Sequence, residues 1–272
     1  MAVSPDSDLV PAARAGDAHA LEQLIVRYQP QLWRYARRMC GNTAEAEDVL
    51  QDALLAAVRG FAQYRGEAAP RTWLFSILRH ACFRARRQRS TADARSADAS
   101  DELAALDAGG PEQRASSRQL AAAVVRAIAE LEPAQREALV LRDIEGLSAS
   151  EVAELTGSSV EAVKSRLHRA RRNVQQRAAE IAEPRLSEPL PAPGASTCPD
   201  ILQLYSEQLE GDVSPDVCER IQEHVDRCPA CQASCDSLKR TLALCRAVPL
   251  GPVPERIQRA LEQALRPQRQ PG

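Results

Sequence analysis

Two segments that cannot build a packed core divide this chain of 272 residues into three shorter blocks. Residues 91–113 are small and acidic, which is typical of a flexible linker, and residues 183–197 are rich in proline, which is typical of an extended tether. We therefore expect several small domains rather than one large core. Aromatic residues make up only 3% of the chain, whereas alanine, leucine and arginine are abundant, and this composition favours an all-α fold.

The distribution of apolar residues and cysteines predicts the compartment in which the protein works. The N-terminal residues lack the apolar stretch of a signal peptide, and the apolar runs are far shorter than a membrane span. We expect a cytoplasmic protein that has no membrane partner. In that reducing compartment the eight cysteines are poor candidates for disulfides, so metal binding or redox chemistry is the better interpretation.

The block at 114–182 has the pattern of a helix-turn-helix. Ser148 with Glu151 predicts a capping box, and Ser158 with Glu161 predicts a second one after a turn at Gly157. The next helix has an aliphatic stripe opposite a face of cations and hydroxyls, as reading of the major groove requires. A cationic face in a simple helical bundle is the alternative, but two capping boxes around a glycine turn favour DNA binding. The candidate DNA contacts are Ser158, Ser159, Lys164, Ser165, Arg166, His168, Arg169 and Arg172.

An acidic face distinguishes the block at 12–90. Asn42, three residues before Glu45, predicts the start of a helix. The helical period places an acidic ridge opposite the apolar stripe of this helix. The acidic ridge consists of Glu45, Asp48, Gln51 and Asp52. An ordinary charged surface is one interpretation of the acidic ridge, and docking onto an arginine-rich partner surface is the other.

The loop at 61–72 and the helix that follows it combine aromatic and basic residues. A loop of this kind beside a basic helix suits the capture of an unstacked base and its phosphates, although Phe61 and Trp73 are residue types found more often in a core. The candidate residues for this contact are Phe61, Tyr64, Arg65, Arg79, Arg84, Arg86 and Arg87.

Three stretches resemble regions 2 and 4 of extracytoplasmic-function RNA polymerase sigma factors: AEAEDVLQDALLAAVRGFAQYRG, RTWLFSILRHACFRARR and LEPAQREALVLRDIEGLSASEVAELTGSSVEAVKSRLHRARR. The resemblance covers roughly residues 12–182 and implies region 2 at 12–90 and region 4 at 114–182. It implies that the acidic ridge binds the polymerase β′ clamp helices and that the loop and basic helix contact the −10 element. It also implies that the helix-turn-helix reads the −35 element and that region 4 meets the β flap.

These implications describe a promoter-selecting factor rather than an enzyme. Its partners would be the RNA polymerase core and promoter DNA. A helix-turn-helix regulator with an N-terminal effector-binding domain is the competing class. That class explains the second block equally well, but it does not explain an acidic ridge, an aromatic loop and a basic helix in this order.

The block at 198–247 is rich in cysteine. His224 and Cys228 stand four residues apart on a predicted helix, and Cys228-x2-Cys231 forms a compact chelate. Thiolates with one imidazole suit zinc or another thiophilic metal such as copper or cadmium. The candidate ligands are Cys198, Cys218, His224, Cys228, Cys231, Cys235 and Cys245. By contrast, we interpret the isolated Cys40 and Cys82 as buried core thiols.

The spacing of this block resembles the zinc-binding anti-sigma fold, which implies Cys198, His224, Cys228 and Cys231 as the ligand set. The three further cysteines depart from that pattern, and a sigma factor with such a domain on its own chain resembles the metal-responsive CorE-like group. We expect control by metal within the chain, with no separate anti-sigma factor required. A purely structural zinc and a thiol redox switch remain open. The tail at 248–272 adds a short apolar stripe of Ile257, Leu261 and Leu265.

Overall fold

The computed structural model describes residues 6–40, 42–88, 111–182, 198–248 and 251–266. The predicted tether at 183–197 and all but the last three residues of the predicted linker at 91–113 lie outside these ranges. Regular structure in the described residues is helical without strands, which confirms the all-α prediction. Among the described residues, no helix combines the length and the apolarity that a membrane span needs.

The described helices number twelve, with a short 3₁₀ turn at Phe61–Gln63 and a π-helical turn at Val140–Ile144. The α-helices are α1 (Leu9–Arg14), α2 (Ala18–Met39), α3 (Thr43–Gly60), α4 (Pro70–Gln88), α5 (Pro111–Glu130), α6 (Pro133–Leu139), α7 (Ala149–Thr156), α8 (Val160–Ala182), α9 (Ile201–Glu210), α10 (Pro215–Arg227), α11 (Pro229–Ala247) and α12 (Glu255–Leu265). The chain forms two compact units, which are 1–98 with 250–272, and 99–249.

The first unit is a bundle in which α2, α3 and α4 share one apolar core. The predicted start of α3 is confirmed, because the Asn42 side chain accepts a hydrogen bond of 2.8 Å from the backbone N–H of Glu45. Tyr35 and Phe75 meet edge to face between α2 and α4. The apolar side of α12 is buried in this same unit, so the last helix of the chain packs with the first bundle.

The second unit contains the predicted helix-turn-helix. The capping box of Ser148 and Glu151 is present at the start of α7, and Gly157 ends that helix with a positive φ of 64°. The second predicted capping box is wrong. Ser159, rather than Ser158, caps α8 by accepting a hydrogen bond from the N–H of Ala162 at 3.1 Å, because α8 begins at Val160, one residue later than the prediction implied.

The cysteine-rich segment forms a small three-helix layer of α9, α10 and α11 in the same second unit. Its apolar cluster contains Ile201, Ile221 and Val225 together with Cys231 and Cys235. Helices α9 and α11 also pack on α8, so the layer lies against the helix that was predicted to read DNA.

Candidate DNA-reading and metal-binding sites

The packing of α8 orients its predicted DNA-reading side. Its aliphatic stripe is buried in the second unit, and the stripe consists of Val163, Leu167, Ala170 and Val174. Ser165 and Arg169 are exposed on α8, with the Arg169 side chain donating a hydrogen bond of 3.2 Å to the Ser165 carbonyl. This pair is therefore accessible to a ligand in the structure as it stands.

Two serines and one arginine at the start of α8 are engaged locally. Arg166 donates a hydrogen bond of 2.7 Å to the Ser158 hydroxyl, and the Ser159 hydroxyl caps the helix. The role of these residues in DNA binding stays a prediction.

The cysteine-rich layer covers two cations of the predicted DNA-reading face. Lys164 Nζ lies 2.5 Å from Asp212 Oδ1, and Arg172 Nη2 lies 2.5 Å from Asp200 Oδ2. The hydrogen bond to Asp212 raises the pKa of Lys164. Burial disfavours ionisation of Asp200, but the hydrogen bonds from Arg172 and from the backbone N–H of Gln203, together with the positive charge of Arg172, outweigh it and lower the pKa of the carboxyl. Both lysine and arginine are therefore held as cations against carboxylates of the layer.

His168 lies between these two ion pairs on α8. Burial lowers the pKa of His168, and the positive charge of Arg172 lowers it further, although Asp200 and Glu207 act in the opposite direction. The imidazole therefore favours its neutral form beneath the layer.

Arg171 connects the helix-turn-helix to the cysteine-rich layer through a buried network. Its guanidinium forms two hydrogen bonds to Asp143, at 2.8 and 2.7 Å, within the helix-turn-helix. The same group donates to the Ser206 hydroxyl at 2.6 Å and to Glu210 at 2.6 Å, both on α9. Glu210 also accepts a hydrogen bond of 2.9 Å from Arg142. Arg171 is 1% exposed and was not predicted as a site residue.

The four residues implied as metal ligands come together at the junction of α10 and α11. One ligand atom from each of Cys198, His224, Cys228 and Cys231 lies within 4.8 Å of the others. The Cys198 and Cys228 sulfurs are 3.9 Å apart, and His224 Nε2 is 3.3 Å from the Cys231 sulfur. Zn–S bonds of about 2.3 Å in a tetrahedron place two sulfurs about 3.8 Å apart, so the donor set fits a zinc-sized ion.

The electrostatics of these thiols also fit a cation. Hydrogen bonds from the backbone N–H and the side chain of Cys231 lower the pKa of Cys228. Burial, followed by the neighbouring Cys228 and Cys198, raises the pKa of Cys231. Two thiolates side by side would repel one another, and the pKa values of Cys228 and Cys231 accordingly shift in opposite directions. A bound divalent ion supplies the charge that stabilises several thiolates together.

The other three candidate cysteines lie outside this group. Cys218 is half-buried on α10, whereas Cys235 and Cys245 are buried on α11. Burial raises the pKa of Cys235. Their role in metal binding stays a prediction. Cys40 and Cys82 are buried in the first unit with their sulfurs 4.0 Å apart, as expected of core thiols.

The acidic ridge of α3 is only partly open to solvent. Asp48 and Asp52 are exposed, whereas Glu45 and Gln51 are half-buried. Arg256 of α12 donates a hydrogen bond of 2.8 Å to Asp48. Arg256 also pairs with Glu47, a carboxylate on the same helix that the sequence analysis missed. Glu47 was not among the residues that the helical period assigned to the acidic ridge.

The predicted base-capturing loop places its aromatic rings in the interior. Phe61 is 2% exposed and meets Trp73 edge to face, and Tyr64 is also buried. The Tyr64 hydroxyl donates to the Ala68 carbonyl. Arg65 is exposed at a cavity of about 320 Å³. This cavity is lined by Gln63, Tyr64, Arg65, Glu67, Ala68 and Trp73. A direct contact between these rings and a base stays a prediction.

The basic end of α4 presents its cations to solvent. Arg84, Arg86 and Arg87 are exposed, and Arg79 lies over the Phe83 ring at 4.6 Å from its centroid. An exposed row of arginines beside an aromatic ring is suited to a nucleic-acid backbone, and this role also stays a prediction.

Comparison with protein-family models divides the chain in the same order. Residues 24–91 match "Sigma-70 region 2" and residues 121–174 match "Sigma-70, region 4". Residues 198–232 match the family described as "Putative zinc-finger".

Known proteins of similar sequence include sigma factors. The ECF RNA polymerase sigma factor SigM of Mycobacterium tuberculosis is 37% identical over 167 residues, which cover 61% of this chain and 81% of SigM. The solved structure of CnrH in complex with the cytosolic domain of CnrY is 27% identical, has a TM-score of 0.47, and covers 63% of this chain and 95% of that chain. The sigma factor RpoE, in complex with the anti-sigma factor NepR from Bartonella quintana, is 25% identical with a TM-score of 0.44 and covers 57% and 93% of the respective chains.

Proposed function

Because the chain belongs to the family of extracytoplasmic-function RNA polymerase sigma factors, we propose that it is a sigma factor restrained by its own cysteine-rich layer. As a sigma factor, it directs RNA polymerase to promoters. It leaves nucleotidyl transfer to the polymerase and acts in the cytoplasm, where polymerase and promoters are found. The finer proposal is that the layer of α9, α10 and α11 lowers this activity until a metal signal releases it.

The working surfaces follow from the resemblance to sigma regions 2 and 4. The acidic ridge binds the β′ clamp helices, and region 4 meets the β flap. The loop at 61–72 and the arginines of α4 contact the −10 element. The exposed side of α8 reads the −35 element. These roles rest on matched motifs and on exposed charged residues, which are Asp48, Asp52, Arg84, Arg86, Arg87 and Arg169.

One observation carries the proposal of restraint: Lys164 and Arg172 are paired with Asp212 and Asp200 of the layer. Binding of DNA phosphates requires these two cations, and each is already paired with a carboxylate where a phosphate would bind. DNA and the layer therefore compete for the same side of α8. Exposed ion pairs contribute little energy, about 0–1 kcal/mol each, so the buried network around Arg171 supplies the firmer attachment.

The metal response rests on the contrast between two groups of cysteines. Cys198, His224, Cys228 and Cys231 already form a complete donor set that would hold a structural zinc. Cys235 and Cys245 are buried while the layer is docked. A thiophilic metal can reach these sulfurs only when the layer is open. Binding of the metal therefore shifts the equilibrium towards the open form. Excess copper, zinc or cadmium is therefore expected to activate, with Cys218 joining the responsive set.

Control within one chain would make a separate anti-sigma factor unnecessary. RpoE, in contrast, forms a complex with a separate anti-sigma factor, NepR. A tether of about fifteen residues holds the layer near α8 at an effective concentration on the order of millimolar, which replaces a second protein.

Run-off transcription with reconstituted polymerase tests the restraint. The variant Asp200→Asn with Asp212→Asn should transcribe faster than the wild type without added metal, because Lys164 and Arg172 are freed for phosphates. The matched control is Glu219→Gln with Asp236→Asn, which removes the same charge from exposed positions of the layer. Equal rates for all three proteins would contradict the proposed competition.

The same assay separates promoter reading from its control. Added copper, zinc or cadmium should raise wild-type transcription and should have less effect on the freed variant. Arg169→Ala, which leaves both ion pairs intact, should lose about 1–3 kcal/mol of promoter affinity if Arg169 contacts a base. If added metal does not change transcription by the wild type, metal control is contradicted. The protein would then be a sigma factor whose layer holds only a structural zinc.

A further inference from the structure

Helix α12 ends the described chain and packs in the first unit, roughly two hundred residues along the chain from α3. Its side chains Ile257, Leu261 and Leu265 are all buried, and they recur at the spacing of one helical face. Val253 is also buried just before the helix, after a left-handed turn at Gly251 with φ of 62°. The tail is therefore a docked amphipathic helix rather than a loose end.

The polar contact of α12 falls on the acidic ridge. Arg256 pairs with Asp48 at 2.8 Å and also contacts Glu47. The hydrogen bond that Arg256 donates to Asp48 raises the pKa of Arg256, as expected for a cation held against two carboxylates. We propose that α12 is a tethered competitor of RNA polymerase, which occupies the acidic ridge until polymerase displaces it. This inference rests on the polymerase-binding role proposed above for the ridge.

Two properties suit α12 to displacement rather than to a permanent place in the core. Asp48 is 71% exposed and Arg256 is 44% exposed, so their pairing is open to exchange with a competing cation. An isolated helix of eleven residues is marginal in water, so α12 loses its helical structure once it leaves the bundle. Docked and displaced states therefore differ in a measurable way.

The chemistry of the docking face defines the partner that replaces α12. The face offers carboxylates beside apolar side chains, and α12 meets it with one guanidinium and three aliphatic side chains. A basic, amphipathic helical surface on polymerase satisfies the same requirements. Because α12 is attached to the same chain, its effective concentration at the docking face is high, and polymerase must compete against it.

Affinity of the full-length chain for core polymerase tests the inference. Leu261→Asp removes the apolar contact and should tighten polymerase binding about tenfold, because the competent state becomes the populated one. Arg256→Glu should tighten it about two- to threefold, in keeping with the small contribution of its ion pairs with Asp48 and Glu47. The matched control is Arg259→Glu, which changes an exposed position on the same helix and should leave the affinity unchanged.

Amide hydrogen exchange gives a readout that does not depend on transcription. Exchange of α12 in the wild type should accelerate when polymerase binds, while α2 and α4 stay protected. The inference is overturned if Leu261→Asp exposes α12 to rapid exchange and yet polymerase affinity stays at the wild-type value. If Leu261→Asp also disturbs α2 and α4, the deciding comparison is the polymerase affinity of Arg256→Glu with that of Arg259→Glu. Equal affinities of these two variants overturn the inference.

A separate variant tests the role on which the inference rests. Asp52 is exposed on the acidic ridge, and Arg256 contacts Asp48 and Glu47 instead. Asp52→Lys should weaken polymerase binding whether or not α12 competes. Normal binding by Asp52→Lys would overturn the ridge as the polymerase site, whereas weakened binding with no effect of Leu261→Asp overturns the competitor alone.

Discussion

Arg171 is a buried cation whose partners come from two parts of the second unit. Asp143 neutralises it from within the helix-turn-helix, so the residue remains paired when the cysteine-rich layer leaves. Glu210 adds a second carboxylate that is itself 3% exposed and shared with Arg142. Glu210 therefore loses both of its cationic partners when the layer undocks, because both belong to the other side of the contact.

Replacing Glu210 therefore isolates the docking contact from the fold of the helix-turn-helix. Glu210→Gln should weaken docking by about 2–3 kcal/mol, because Arg142 and Arg171 lose a buried counter-charge while Asp143 still pairs with Arg171. Hydrogen exchange should accelerate in α9 and remain slow in α7. Glu219→Gln on the exposed side of α10 serves as the control, and equal exchange in both variants would show that Glu210 does not hold the layer.

At the scale of elements, we propose that the cluster of four candidate ligands stabilises the three-helix layer by holding a metal ion. The layer is short, and its apolar cluster is built around Ile201, Ile221 and Val225. So small a core rarely holds a fold without a metal or a disulfide. The candidate ligands lie just before α9 and at the α10–α11 junction, so a metal ion bound there would link all three helices and contribute directly to folding of the layer.

Removal of metal should therefore unfold the layer and spare the first unit. We expect a chelator to abolish exchange protection in α9 and α10 while α2 and α3 are unchanged. Cys228→Ser should lose one bound zinc per chain, and Cys218→Ser should keep it, because Cys218 lies outside the four-residue group. Equal zinc content in Cys228→Ser and the wild type, measured by elemental analysis, would contradict this assignment.

Local patterns and distant contacts differ in what the sequence can predict. The helix-turn-helix and the grouping of Cys198 with the ligands at 224–231 follow from spacing and from family resemblance, and both are found in the structure. The cap of α8 was misassigned to Ser158, because two adjacent serines offer the same hydroxyl chemistry. The pairing of Arg172 with Asp200 was not predictable, since it depends on how two helices pack across a tether.

The tail illustrates the same distinction for a whole helix. Its apolar stripe was visible in the sequence, and the structure buries all three of its members. No local signal indicated that the stripe would pack with the first block of the chain rather than with the adjacent cysteine-rich layer. Glu47 was missed for the same reason, because its importance comes from Arg256 and not from its own position on α3.

At the scale of the whole molecule, the C-terminal part of the chain contacts both of the surfaces that we propose bind polymerase and the −35 element. Within the second unit, the layer pairs with cations of α8, and within the first unit, α12 pairs with the acidic ridge of α3. Each contact alone is modest in energy. Both are maintained because the covalent chain keeps their components together at high effective concentration.

A cleavable tether tests this account most directly. A protease site is placed in 183–197, and run-off transcription is measured before and after cleavage, at nanomolar protein and without added metal. Cleavage followed by dilution should raise transcription, because the fragment that contains the layer and α12 dissociates from the sigma regions. An unmodified chain treated with the same protease is the control. Unchanged transcription by a cleaved protein whose two fragments have separated on size-exclusion chromatography would contradict restraint by the C-terminal part of the chain.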